Sequence, residues 1–229
     1  MRMLAALVHV FTALGAVCAL FAMQAVIAGD AQRTFIWLAI ALVIDAVDGT
    51  FARRVNVSAQ LPRFSGERLD LVIDYVTYVF VPVLALVVMR QLESVTGSVL
   101  AAGILLSSLF HFSDLESKTK ENCFVGFPAI WNIFAFYVFA LAPPQWLTAL
   151  AVAVAIAATF VPMPWVHPLR VVAMRPVTLA MTGLAGLAGI ATLMHGFPAT
   201  ATVKLILIAA AVYYAGLAIL WWKRGSSAA

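Results

Sequence analysis

The chain has 229 residues, 64% of them hydrophobic and only 10% charged, with a mean hydropathy of +1.03. An ordinary soluble domain carries about 25% charged residues, so this composition excludes a water-soluble enzyme and leaves no room for a sizeable soluble domain. The formal charge of +4, from 14 lysines and arginines against 10 acids, suits basic loops facing anionic lipid headgroups or an anionic lipid substrate and calls for no nucleic-acid partner.

Eight apolar segments are predicted in chain order, at 4–28, 35–52, 69–89, 95–112, 124–141, 146–161, 177–194 and 203–222. Most reach the ~17–25 residues of a spanning helix; the sixth is short, its start fixed by Pro143-Pro144. None shows the period-2 alternation of a transmembrane β-strand. The expected fold is therefore all-α, a polytopic membrane helix bundle of about eight transmembrane helices, with residues 1–229 as a single integral-membrane domain. With the N-terminus inside, Arg2, Arg53, Arg54, Arg63, Arg68, Lys118, Lys120, Arg170, Arg175, Lys223 and Arg224 fall on the cytoplasmic side, against Arg33, Arg90 and Lys204 outside. That bias follows the positive-inside rule. The first segment is read as a retained helix, not a cleaved signal, because His9 and Thr12 interrupt it and Val17 before Cys18 suits a lipoprotein cleavage site poorly. Cys18 and Cys123 are read as small apolar fillers, with no disulfide or zinc site suggested. Gly183, Gly186 and Gly189 are spaced to form a small-residue ridge for close helix contact.

The second and third segments, helices over about 35–53 and 66–89, carry what an apolar bundle should exclude. Asp45, Asp48, Gly49 and Ala52 recur at i, i+3, i+4 and i+7, and Gly66, Asp70 and Asp74 at i, i+4 and i+8. Each set lies on one helix face. Ionisable groups at membrane depth are retained where they line a polar cavity or bind ions, and carboxylates brought together repel one another unless cations neutralise them. Oxygen-only ligands suit Mg2+ or Mn2+. Arg53 adds a positive charge suited to phosphate, while Gly49, Ala52 and Gly66 leave room for a bulky ligand. The three features together describe a diphosphate site.

Asp45-x2-Asp48-Gly49-x2-Ala52-Arg53, twelve residues, then Gly66-x3-Asp70-x3-Asp74 resembles the signature of the CDP-alcohol phosphatidyltransferases in all eight fixed identities. The spacer is longer than is usual in that family. With the runs LPRFSGERLDLVIDYVTYVFVP and VGFPAIWNIFAFYVF, it resembles the bacterial phosphatidylcholine synthase branch. The resemblance implies a six-helix core with two added helices and an inner-membrane location; the lysine and arginine bias places the active site at the cytoplasmic face. It further implies CDP-diacylglycerol as donor, choline as acceptor, and two divalent ions, Mn2+ or Mg2+, held by Asp45, Asp48, Asp70 and Asp74. Asp74 would also serve as catalytic base. Thr12, Asp48, Gly49, Ala52, Arg53 and Gly66 would bind CDP-diacylglycerol, Thr12 because it resembles a family position near the nucleotide. Serine or another small alcohol is the alternative acceptor.

The other polar stretches are read more plainly. Residues 60–68 form either a solvated loop or a basic lip for phosphates. The loop 111–122 lies on the same face as the aspartates, and Glu121 is its best candidate to reach the acceptor. Phe127, Trp131 and Asn132 follow; ring faces can hold a quaternary ammonium, although aromatics also form interfacial belts. Glu121, Phe127, Trp131 and Asn132 are therefore the expected choline group. His167 and Arg170 offer a further phosphate contact, whereas His9, His111 and His195 are read as structural. A homodimer is left open. The remaining alternative, a divalent-cation transporter with acids along its path, is disfavoured by acids clustered at one mouth beside Arg53.

Overall fold

The hydrophobic pattern does fold as helices. The computed structural model describes residues 2–117, 123–166 and 174–226. In chain order they form α1 (Arg2–Ile27), α2 (Ala31–Val55), the single turn α3 (Val57–Gln60) and α4 (Gly66–Asp74). A π-helical segment (Tyr75–Phe80) leads without a break into α5 (Val81–Val88). Then follow α6 (Ser94–Ser113), β1 (Cys123–Val125), α7 (Trp131–Leu141), α8 (Gln145–Thr159), β2 (Pro164–Val166), α9 (Arg175–His195) and α10 (Ala201–Ser226). Among the described residues, six helical stretches are long and apolar enough to cross a membrane: α1, α2, Gly66–Val88, α6, α9 and α10. At 1.5 Å per residue, α7 and α8 are about 17 and 23 Å long, short of the ~30 Å hydrocarbon core. The chain is thus a multi-pass membrane helix bundle, with six long and two shorter apolar helices among the described residues.

Contacts group the chain into two compact units. The first comprises Met1–Arg90 with Trp131–Ala135, the second Gln91–Ile130 with Phe136–Ala229. In the first, α1 is the central element and packs against α2, α4 and α5. Its buried side is made of small residues, Ala5, Thr12, Gly15, Cys18, Ala19, Ala22 and Ala25, with Val8 and Val26, while Leu7, Val10, Leu14 and Val17 point outward. Small residues inside and large apolar ones outside is the arrangement of a bilayer, where close backbone approach and dispersion replace the hydrophobic drive. Gly15 marks the closest approach: a Cβ there would lie 2.6 Å from Ile73 Cγ2 of α4.

The second unit is built from α6 against α8, α9 against α10, and α10 against β2. Hydroxyl pairs join α9 to α10 one turn apart, Thr178 Oγ1 to Tyr213 Oη at 2.8 Å and Thr182 Oγ1 to Tyr214 Oη at 2.5 Å. The expected glycine ridge is not what packs α9. A Cβ at Gly183 or Gly186 would meet no described atom within 4 Å, and only Gly189 faces a neighbour, Phe136, at 3.8 Å. The expected helix over 124–141 also begins late. Gly126 and Ala129 adopt positive φ (76° and 53°), and Pro128 lacks an amide hydrogen, so the chain cannot coil before Trp131. Instead β1 pairs antiparallel with β2, Phe124 opposite Trp165. A Cβ at Gly126 would collide with the Thr159 carbonyl, so only glycine fits that turn. Cys18 and Cys123 are both buried.

Candidate functional site

The two helices predicted at about 35–53 and 66–89 run over Ala31–Val55 and Gly66–Val88. Asp30 caps α2, its carboxylate accepting from the Arg33 amide at 2.9 Å, which satisfies one of the free donors of the first turn. Asn56, left-handed at φ 53°, ends it. The twelve-residue spacer then makes the extra turn α3 before Ser65 caps α4 by accepting from the Arg68 amide at 3.2 Å. Gly66 therefore opens α4, with Asp70 and Asp74 one and two turns further along.

The two acidic stripes meet. A cleft is lined by Asp45 and Asp48 of α2, Asp70 and Asp74 of α4, Thr12 and Gly15 of α1, Thr77, and the apolar Ala41, Ile44 and Ile73. Asp45, Asp70 and Asp74 each offer a carboxylate oxygen, and these atoms all lie within 4.8 Å of one another. Asp48 lines the same cleft but stands outside that tight group; it is 6% exposed, with the Thr12 hydroxyl and the Gly49 amide against its carboxylate. The Thr12 hydroxyl also reaches the Val8 carbonyl at 3.3 Å. An all-oxygen donor set of like charges, carried on helices long and apolar enough to cross a membrane, fits a hard divalent cation and would be poorly stable without one.

The predicted donor-binding residues are placed as follows. Gly49 lies under the Arg53 guanidinium, where a Cβ would be 3.3 Å from a guanidinium nitrogen; Arg53 is exposed and donates to Thr50 Oγ1 at 3.2 Å. Ala52 packs beside the apolar cluster of Ala5, Val8 and Val57. Gly66 faces His9: a Cβ there would be 3.2 Å from His9 Cε1. The His9 Nε2 is buried and has no hydrogen-bond partner among the described residues.

The residues of the expected choline group are placed as follows. Glu121, like Lys118, Lys120, His167 and Arg170, lies outside the described residues. Phe127 belongs to the second unit, 7% exposed, its ring edge-on to Trp165 at 5.9 Å. Trp131 and Asn132 belong to the first. Trp131 is fully buried against Phe134, and Asn132 accepts from the Ile133 amide at 2.8 Å.

Sequence reasoning missed Tyr78. Its hydroxyl donates to Asp45 Oδ2 at 2.5 Å, joining the π-helical segment to α2. The signal was present: Tyr78 continues the run Gly66, Asp70, Asp74 at the same interval of four. It also missed the π turn itself, in which the Val81 amide reaches back five residues to the Val76 carbonyl. Pro82 explains that turn, since it cannot donate to the Tyr78 carbonyl and its ring crowds that oxygen. Such turns are frequent at functional sites.

Helices and cleft together define a multi-pass membrane protein with an oxygen-lined acidic cluster able to hold a divalent cation. No family model matches the chain. It is 44% identical over 214 residues to a phosphatidylcholine synthase of Bradyrhizobium diazoefficiens, covering 93% of this chain and 80% of that protein. It is 40% identical over 217 residues to that of Pseudomonas aeruginosa (93% and 90% covered) and 31% identical over 218 residues to that of Borreliella burgdorferi (94% and 92%). The chain belongs to the phosphatidylcholine synthase family.

Proposed function

We propose that the chain is a CDP-alcohol phosphatidyltransferase that moves the phosphatidyl group of CDP-diacylglycerol to choline, forming phosphatidylcholine and CMP. The observation that carries this reading is the meeting of Asp45, Asp70 and Asp74 within 4.8 Å, in a chain 44% identical to a phosphatidylcholine synthase. Asp45, Asp48, Asp70 and Asp74 would hold two Mn2+ or Mg2+ ions, which when bound neutralise the diphosphate and stabilise the departing oxygen. Arg53 pairs with phosphate oxygens at the exposed end of the cleft, and Gly49 and Gly66 let the donor approach the backbone. Thr12 fixes the Asp48 carboxylate beside the nucleotide, and the free Nε2 of His9 beside Gly66 is a further polar contact for it.

Asp74 accepts the proton of the choline hydroxyl, a weak nucleophile at neutral pH that needs a base within hydrogen-bond reach. The choline oxygen forms a bond to the phosphorus bearing diacylglycerol as the bond from that phosphorus to the CMP oxygen breaks; CMP carries away the electron pair. Phe127, Trp131, Asn132 and Glu121 remain the proposed choline group, with ring faces for an ammonium that cannot donate a strong hydrogen bond. The excess of lysine and arginine in the loops expected inside supports a site at the cytoplasmic face of the bacterial inner membrane, in a monomer or a homodimer.

The test is an acceptor panel. Purified protein receives CDP-diacylglycerol, Mn2+ and labelled choline, serine, glycerol or inositol in turn. Choline alone should yield labelled phospholipid; product from serine and none from choline would replace the acceptor, and no product from any would remove the transferase reading.

A further inference from the structure

Three carboxylates within 4.8 Å must be held in place against their own repulsion, and Asp45 has a side-chain partner 33 residues away in sequence. Tyr78 Oη donates to Asp45 Oδ2 at 2.5 Å from a half-buried position. We infer that Tyr78 is a positioning residue for the metal site, holding the Asp45 carboxylate in the orientation that receives the cation. This inference rests on the metal-site reading proposed above and extends it to a residue outside the eight-residue signature.

A carboxylate on a helix turns about its terminal torsion with little resistance, so an unsupported Asp45 would swing away from Asp70 and Asp74. A charge-assisted hydrogen bond from a phenol is short and strong; it fixes the carboxylate plane and leaves the other oxygen and the remaining lone pairs for the ion. The phenol is itself held firmly. It stands in the π turn between Asp74 and Pro82, where Thr77 Oγ1 donates to the Ile73 carbonyl at 2.9 Å and Val79 and Val81 are wholly buried. One backbone segment thus carries Asp70, Asp74 and the group that orients their partner on α2. Groups that hydrogen-bond metal ligands in this way typically contribute 10–100-fold to metal affinity.

The experiment is a Mn2+ titration of the purified, substrate-free protein, followed by electron paramagnetic resonance of free Mn2+. Wild type, Tyr78→Phe, Asp45→Asn, the double variant and Tyr214→Phe are compared, with a thermal melt of each metal-free protein. Tyr78→Phe should bind Mn2+ about 10–100-fold more weakly with an unchanged melt. Tyr214→Phe, which removes a comparable hydroxyl pair from α10, should bind as wild type does. In the Asp45→Asn background, Tyr78→Phe should cost less than about threefold, because the two act through one carboxylate. Wild-type affinity in Tyr78→Phe would overturn the inference, as would equal losses in both backgrounds. Absence of Mn2+ binding by the wild type would overturn the metal-site reading itself, and this inference with it.

Discussion

Asp74 and Asp45 sit in the same cluster but are assigned different work, and substitution separates them. Asp74→Asn keeps a ligand oxygen and the side-chain volume but cannot accept the choline proton. Turnover should fall by about 10^2–10^4-fold, the usual contribution of a positioned base, while binding of a non-reactive CDP-diacylglycerol analogue to the metal-loaded protein stays within several-fold of wild type. Near-normal turnover would remove the base assignment. Trp131 illustrates the opposite case. It is fully buried against Phe134, so Trp131→Ala would open a cavity costing about 3–5 kcal/mol; Trp131→Phe, read as a choline KM with the melt as control, is the cleaner probe of its proposed contact.

At the scale of elements, α1 and α4 approach closely enough to close the cleft because position 15 has no side chain. A Cβ would sit 2.6 Å from Ile73 Cγ2, and Ile73 is β-branched and stiff. Gly15→Ala should therefore destabilise by about 1–3 kcal/mol, read as a shift in the denaturation midpoint. Adding Ile73→Ala should produce less than the sum of the two single effects, and strict additivity would show that the contact is not shared. The sequence was informative about these elements for a definable reason. Hydrophobic runs and intervals of three and four are local signals, so the motif helices were expected at about 35–53 and 66–89 and occur at Ala31–Val55 and Gly66–Val88. The contact of His9 with Gly66 and the β1–β2 ladder join residues far apart in the chain, and no periodicity announces them; Tyr78 shares the interval of four with Asp70 and Asp74, but that interval does not name Asp45 as its partner. The π turn was hidden because its cause, the missing amide of Pro82, resembles an ordinary helix start. Residues 183 and 186 were misread in the other direction: glycine spacing alone says that a close approach is sterically open, not that a partner helix takes it.

At the scale of the molecule, the long apolar helices are enough to cross a bilayer by length and composition, and the proposed orientation puts the spacer between α2 and α4 inside. Both native cysteines are buried, which leaves introduced ones readable. Ser58→Cys should react with a membrane-impermeant maleimide only after cells are permeabilised, and Glu93→Cys should react in intact cells. The reverse pattern would invert the topology and move the site to the outer face. The family assignment and the acidic cleft converge on one claim, that these carboxylates support metal-dependent transfer of a phosphatidyl group to choline. The most direct measurement is CMP release and phosphatidylcholine formation, counted together, from CDP-diacylglycerol and choline by the purified protein before and after chelation. The account predicts equal amounts of both products, none of either once the divalent ion is removed, and recovery when Mn2+ is restored. CMP released without phosphatidylcholine, or transfer undiminished by the chelator, would contradict it.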